Sequence, residues 1–317
     1  MHANHDLNIG VYRFSVLDKD GATRLDQFLA GQLNDCSRSL ARQIIEIGGV
    51  HLDGRRVRKC GMLVTPGQHI QVFVDGFPLQ SFALDPEQIL YRDKHLLVIN
   101  KPAGIPSQPI PSRYRGTIYA ALQQLLKPEK LGQYQPSIGM VQRLDRDTSG
   151  VMVFSIHPAA HKPLTQAFSQ RAVGKRYLAL VSGEVPDATG QFKSYLARRR
   201  STNRMVSVAR GGRYAETLYR RVQTFGIASL VEIELITGRS HQIRAHFGEA
   251  GHPLLGDAAY GGPSEINELV LPRQMLHAWQ LKLQHPINKN VMRFTAELPE
   301  DFKKLLLYFG GELERYS

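Results

Sequence analysis

Two short runs of apolar residues at helical spacing mark the first quarter of the chain. In Arg24-Leu25-Asp26-Gln27-Phe28-Leu29, the residues Leu25, Phe28 and Leu29 fall on one face and predict a helix. Ser37 then stands where an N-cap belongs, and Leu40, Ala41, Ile44 and Ile45 form a second stripe that leaves Arg38 and Arg42 together on the other side. Gly48-Gly49 ends this helix. Val50-His51-Leu52 alternates like a strand, Asp53-Gly54 signals a hairpin turn, and Pro66-Gly67 precedes another strand, Ile70 to Val74.

Between Asp75 and Pro86 the periodicity lapses, which reads as a linker between a first domain over 12–80 and a second over 87–317. Strands then recur at Leu96 to Ile99, Val151 to Ser155, Tyr177 to Ser182 and Ser229 to Ile236. Amphipathic segments Ile118 to Leu126 and Leu164 to Phe168 predict helices between them, so the second domain is expected to be mixed α/β or α+β. The chain shows neither a long repeat nor a low-complexity tract.

Charge narrows the choice of partner. The 317 residues carry 40 Lys and Arg against 28 Asp and Glu, a formal charge of +12, which makes nucleic acid the first partner to consider, the alternative being a generally basic soluble protein. Arg55, Arg56, Arg58 and Lys59 follow the second helix, and with Arg38 and Arg42 they offer phosphate contacts. From Lys193 to Arg221 there are eight arginines, including Arg198, Arg199 and Arg200, with Glu216 the only acid. Cys36 and Cys60 form no C-x-x-C pair, and no histidine cluster has zinc-finger spacing, so neither a disulfide framework nor a metal site is expected. No apolar run reaches membrane-spanning length, and a cytoplasmic, unexported protein is expected.

Two segments concentrate chemistry. Gln142-Arg143-Leu144-Asp145-Arg146-Asp147-Thr148-Ser149-Gly150 is a polar loop directly before an apolar strand; Arg143 and Arg146 bracket Asp145 and favour an ionised carboxylate. The same residues read equally as an ordinary turn in which Asp147, Thr148 and Ser149 satisfy backbone groups. Thr237-Gly238-Arg239-Ser240-His241-Gln242-Ile243-Arg244-Ala245-His246 reads as a loop entering a helix, rich in anion-binding side chains such as Arg239 and His241. His241, His246, His252 and Asp257 do not share the helical spacing of a zinc motif.

The order of segments carries two resemblances. R-L-D-Q-F-L, S-R-S-L-A-R-Q-I-I, G-G-V-H-L-D-G-R-R-V and P-G-Q-H-I, over about residues 24 to 75, resemble the S4-like RNA-binding domain shared by a small-subunit ribosomal protein and tyrosyl-tRNA synthetases. Residues 87 to about 285 resemble the RluA family of pseudouridine synthases. The matching segments are L-L-V-I-N-K-P-A-G, R-L-D-R-D-T-S-G, K-R-Y-L-A-L-V, T-G-R-S-H-Q-I-R-A-H, G-H-P-L-L-G-D and L-H-A-W with His285-Pro286.

The resemblance implies an α+β catalytic domain with a mixed, largely antiparallel sheet, preceded by the small S4-like domain. It makes Asp145 the catalytic carboxylate, Tyr177 the ring that stacks on the target base, Arg244 the cation paired with Asp145, and Arg143 a residue that helps displace the target nucleotide. The implied reaction isomerises uridine to pseudouridine and needs no cofactor. The expected partner is structured RNA, large-subunit ribosomal RNA before transfer RNA, bound by a monomer. One position departs from the family pattern: the histidine usual before R-L-D is Gln142, which keeps a donor and an acceptor but has no titratable proton near neutral pH. Two rivals are a noncatalytic RNA-binding or ribosome assembly factor, and a glycoside-type hydrolase using Asp147 or Asp257 as second carboxylate.

Overall fold

A computed structural model of the chain describes residues 7–127, 136–314 and 316. The chain divides into two compact units, Met1–Leu84 with Ile105–Pro128 and Asp85–Gly104 with Glu129–Ser317.

In the first unit, β1 (Gly10–Ser15), β2 (Val50–Leu52), β3 (Arg55–Val57) and β4 (His69–Val74) form an antiparallel sheet in the order β1-β4-β2-β3. Helices α1 (Leu25–Gln32) and α2 (Arg38–Ile47) join it in one core, where Leu25, Leu29, Ala41, Ile45, Val50, Ile70 and Val72 are fully buried. Burying each of the larger aliphatic side chains contributes about 1.5–3 kcal/mol. The caps of α2 are those its sequence calls for: the Ser37 hydroxyl accepts from the Leu40 amide at 3.1 Å, and Gly48 closes the helix at φ 97°.

Helix α3 (Ile118–Leu126), expected with the second domain, belongs to this first unit. The reason lies in the stretch that reads as a linker. Arg113, 7% exposed at its side chain, clamps Asp75 through two hydrogen bonds of 2.7 and 2.5 Å, and the amides of Tyr114 and Arg115 both donate to the Ile47 carbonyl. Asp75 and the stretch around Arg113 are thus held within the first unit.

The second unit is built on an eleven-stranded sheet. Its path runs β11 (Arg204–Ser207), β10 (Thr189–Arg199), β12 (Arg213–Thr224), β13 (Ala228–Leu235), β9 (Gly174–Ser182), β16 (Leu276–Gln284), β8 (Ser149–Ser155), β6 (Leu96–Lys101) and β5 (Ile89–Arg92). Beside that path, β7 (Gly139–Met140) pairs with β8 and β17 (Val291–Thr295) with β16, while β14 (Glu265–Ile266) and β15 (Leu269–Val270) make a separate hairpin. Every pairing in the large sheet is antiparallel except β16 with β8, where His277 lies opposite Ser149. A mixed, largely antiparallel α+β fold is thus observed.

All seven residues of β8 are buried, the signature of a strand covered on both faces. On one side Leu96, Val98, Val151 and Val153 pack with Leu164 of α4 (Pro158–Ser169). A second cluster joins Leu178, Leu180 and Leu230 to Phe302 and Leu306 of α6 (Glu300–Tyr308). The parallel contact demands glycine: a Cβ on Gly150, at φ 115°, would stand 2.2 Å from the Ala278 carbonyl oxygen. Helix α5 (Gln242–Glu249) completes the unit. Among the described residues, no helix is long and apolar enough to cross a membrane.

Candidate active site

The polar loop before β8 is braced from four directions. Its turn is closed by the Thr148 amide donating to the Asp145 carbonyl at 3.1 Å. The Lys101 ammonium, with its residue fully buried at the end of β6, donates to the Arg146 carbonyl at 2.8 Å, and Arg273 Nη1 donates to the Asp147 carbonyl at 3.0 Å. Gln274 Nε2 donates to the Thr148 hydroxyl at 3.3 Å, and Ser149 bonds His277 at 2.9 Å. Burial pulls the Lys101 ammonium down to about 7, with the carboxylates of Asp147 and Asp145 opposing the fall. The result is a backbone that holds Asp145 in place while its side chain stays about a quarter exposed.

The cation facing Asp145 is Arg244, 99 residues further along. Helix α5 begins after His241, whose backbone is left-handed at φ 49°, and buries Ile243, Ala245 and Phe247 together with Arg244 itself. The guanidinium divides its donors. Nε and Nη2 bind Asp257 at 2.7 and 2.8 Å, and Nη1 reaches Asp145 Oδ2 at 3.0 Å. Asp257 is 1% exposed at its side chain, so this bidentate pair is desolvated and directional. Burial works against the Arg244 charge, yet Asp257 first and then Asp145 outweigh it and raise its proton affinity above the ordinary arginine value. Of the sequence bracket, Arg146 binds Asp147 with two bonds of 3.0 Å, and Arg143 is exposed.

Tyr177 on β9 is buried, and burial followed by the Asp145 charge raises its phenol well above the usual range, so it stays neutral. His241 Nε2 lies 3.8 Å from Asp145 Oδ2, and its Nδ1 bonds the Tyr260 hydroxyl at 3.0 Å. Burial lowers the His241 imidazole below its ordinary value despite Asp145 nearby. The Arg244 guanidinium lies 4.9 Å from the Tyr260 ring centroid. Asp145 thus has an anchored guanidinium in direct contact and a buried, neutral phenol within reach of its charge.

The chain is similar to known proteins over most of its length. The sequence profile described as RNA pseudouridylate synthase matches residues 95–249, and the S4 domain profile matches 23–70. Ribosomal large subunit pseudouridine synthase D of Nitrosomonas europaea is 36% identical over 308 residues, covering 94% of this chain and 88% of that protein. An RNA pseudouridine synthase of Chloroflexus aurantiacus is 40% identical over 288 residues, covering 90% and 89%. This chain belongs to the RNA pseudouridine synthase family. The chain is also similar to the solved structure of human RNA pseudouridylate synthase domain containing 4, at TM-score 0.57 and 27% identity over 71% of this chain and 93% of that one. As a member of that family the protein is an isomerase that converts RNA uridine to pseudouridine.

The synthase's other arginines are distributed unevenly. Arg38 is ion-paired with Asp26 at 3.2 Å, while Arg42 and Arg55 are exposed in the first unit. Arg56 is committed to structure, since its guanidinium donates to the carbonyls of Ile110 and Pro111. Arg198 binds Asn203 across the β10–β11 turn at 2.7 Å and acts electrostatically on His241; Arg199 and Arg200 are exposed at the same hairpin. Arg239 Nε donates to the Tyr214 carbonyl at 2.9 Å. Gln142, in place of the usual histidine, donates from its amide to the Val151 carbonyl at 3.4 Å.

Asp257, which holds Arg244, and Lys101, which braces the loop, lie in the G-H-P-L-L-G-D and L-L-V-I-N-K-P-A-G segments, where no spacing signals those roles. Among the described residues, Asp93, His95 and His285 bring ligand-type atoms within 4.8 Å of one another. Their bonds already explain the cluster: His285 Nε2 contacts Asp93 Oδ2 at 2.9 Å, and Asp93 Oδ1 accepts the amides of His95 and Leu96 at 2.7 Å.

Proposed function

We propose that the synthase modifies large-subunit ribosomal RNA, with Asp145 as the catalytic carboxylate, Tyr177 as the base-stacking ring and Arg244 as the cation that orients Asp145. The observation that carries the site assignment is the Arg244 fork, held by buried Asp257 on one side and directed at Asp145 on the other. Ribosomal RNA is favoured because relatives from Nitrosomonas europaea and Zymomonas mobilis, each 36% identical, bear the name ribosomal large subunit pseudouridine synthase D.

The reaction breaks the bond from C1' to N1, turns the uracil and joins C5 to C1'; the proton leaves C5 and N1 ends protonated. The target nucleotide leaves its stack so that C1' and C6 face the carboxylate. Asp145 then attacks C1' or C6, or takes a proton from the sugar, and each route uses the carboxylate whose Oδ2 accepts from Arg244 Nη1. Tyr177 supplies a neutral aromatic face that retains uracil while it turns. Arg143, exposed two residues before Asp145, is assigned to help displace the target nucleotide from its stack.

Arg38, Arg42, Arg55, Arg198, Arg199, Arg200, Arg239 and His241 are assigned to RNA contact; Arg56 is not, since its donors serve carbonyls within its own unit. The functional domains are assigned to 12–80 and 87–317, the enzyme acts as a monomer in the cytoplasm, and neither metal nor cofactor takes part. Pseudouridine mapping of ribosomal and transfer RNA from cells lacking the protein, complemented with wild type, tests the substrate: sites lost in large-subunit RNA support the reading, and sites lost only in transfer RNA replace it.

A further inference from the structure

A cavity of about 670 Å³ opens between the end of α4, the start of β9 and the β16–β17 hairpin. Five cationic side chains line it, Arg171, Lys175, Arg176, Lys282 and Arg293, with Glu234 as the single acid. Arg176 is ion-paired with Glu232 at 3.3 Å. No hydrogen bond or ion pair engages the side chains of Arg171, Lys175, Lys282 or Arg293 among the described residues. The strand register sets Gly174, Lys282 and Arg293 side by side in one row, with no side chain at the first position to fill the space.

Like charges that outnumber their counter-charges cost free energy unless an anion joins them. The cost is visible at Lys175, whose ammonium is brought down to about 8 by burial first, then by Arg171 and Arg239. This cavity also adjoins the site. Lys175 lies two residues before Tyr177 on β9, about 7 Å along the same strand face, opposite to the face of the Gly174, Lys282 and Arg293 row, so the cavity takes lining residues from both faces at the start of β9. Its ammonium would stand 3.6 Å from a Cβ on Gly238, in the loop that leads through Arg239 to His241 and Arg244.

We propose that this cavity is an RNA subsite, in which Arg171, Lys175, Lys282 and Arg293 take backbone phosphates of the strand that carries the target uridine. It rests on the family's RNA substrate but not on which RNA is modified. The loop of Gly238 and Arg239 links it to Asp145, so phosphates seated here fix how far the flipped nucleotide enters.

The test uses the full-length enzyme and a labelled single-stranded oligouridylate. Each phosphate contact removed lowers the slope of log affinity against log salt by about 0.7 for single strands, so Lys282→Gln with Arg293→Gln is expected to lower it by about 1.4. Lys303→Gln with Lys304→Gln, the same charge change on α6, is expected to leave the slope unchanged, and Lys282→Arg with Arg293→Lys to retain it. Oligouridylate should also shield Lys175 from amine acylation, read by mass spectrometry. An equal slope change in the two neutralised pairs, or full acylation of Lys175 in the complex, overturns the subsite alone. Absence of any wild-type binding to the oligomer overturns the subsite together with single-strand recognition.

Discussion

Replacing Asp257 by asparagine separates the holding of Arg244 from its charge. The native carboxylate accepts Nε at 2.7 Å and Nη2 at 2.8 Å, with side-chain exposures of 1% and 10% for the two partners. Removing one partner of a buried pair typically costs about 3–5 kcal/mol. Asparagine still accepts one bond, and Arg244 keeps Asp145 as a counter-charge, so a loss of about 2–3 kcal/mol in unfolding free energy is expected. The guanidinium then has one anchor where it had two, and Nη1 is no longer fixed 3.0 Å from Asp145. A displacement near 1 Å at a reacting group costs about 10²-fold, and kcat should fall by that factor while KM stays within about twofold. Arg244→Lys, which keeps the charge but loses the fork, should show a comparable fall. Urea unfolding supplies the stability and single-turnover conversion of RNA the rate. A destabilised Asp257→Asn enzyme with kcat within about threefold of wild type would refute positioning of Asp145 through Arg244.

Tyr177→Leu, which keeps bulk without a ring, is expected to slow single-turnover conversion by about 10- to 100-fold, the loss of a stacking contact worth about 1–3 kcal/mol, and Tyr177→Phe to recover most of it; equal rates in the two variants would remove the ring from the account. His277 is pushed down to about 4 by burial while bonded to Ser149 and the Ala296 carbonyl. Its neutral form stabilises the fold fully above pH 6.5 and the contribution is lost as pH falls from 6.5 toward 4, about 2 kcal/mol of it by pH 5; His277→Gln should flatten urea-derived stability between pH 7 and 5, and an unchanged pH slope would exclude the effect. Gly150→Ala places a Cβ 2.2 Å from the Ala278 carbonyl oxygen at φ 115° and should cost about 3 kcal/mol or more; an unshifted melting temperature would contradict the β8–β16 contact.

The elements legible in the sequence are those whose burial follows a simple period. Helix α2 shows its Ser37 cap, its Leu40 to Ile45 stripe and its Gly48 stop, and the structure uses all three. Strands β6 and β8, and the Tyr177 to Val181 part of β9, are apolar runs because both faces are covered. By contrast β10 and β12 carry arginines and tyrosines on half-buried faces, so Lys193 to Arg221 reads as a basic stretch before it reads as strands. The candidate site was legible only through the order of motifs. Local chemistry pointed Arg143 and Arg146 at Asp145, whereas the contact comes from Arg244, 99 residues away, and depends on Asp257. No spacing rule connects three side chains drawn from separate turns and a helix. Lys101 escaped notice because a lysine is rarely fully buried, and only its backbone partners in the loop reveal why this one is.

The most direct test of the central claim is pseudouridine formation by Asp145→Asn. The variant keeps an acceptor for Arg244 Nη1 and should fold with a melting curve close to wild type. Cells lacking the protein and complemented with this variant should show no return of the missing pseudouridines, while wild type restores every one. Restoration by a folded Asp145→Asn protein would contradict the account and give the catalytic role to another group.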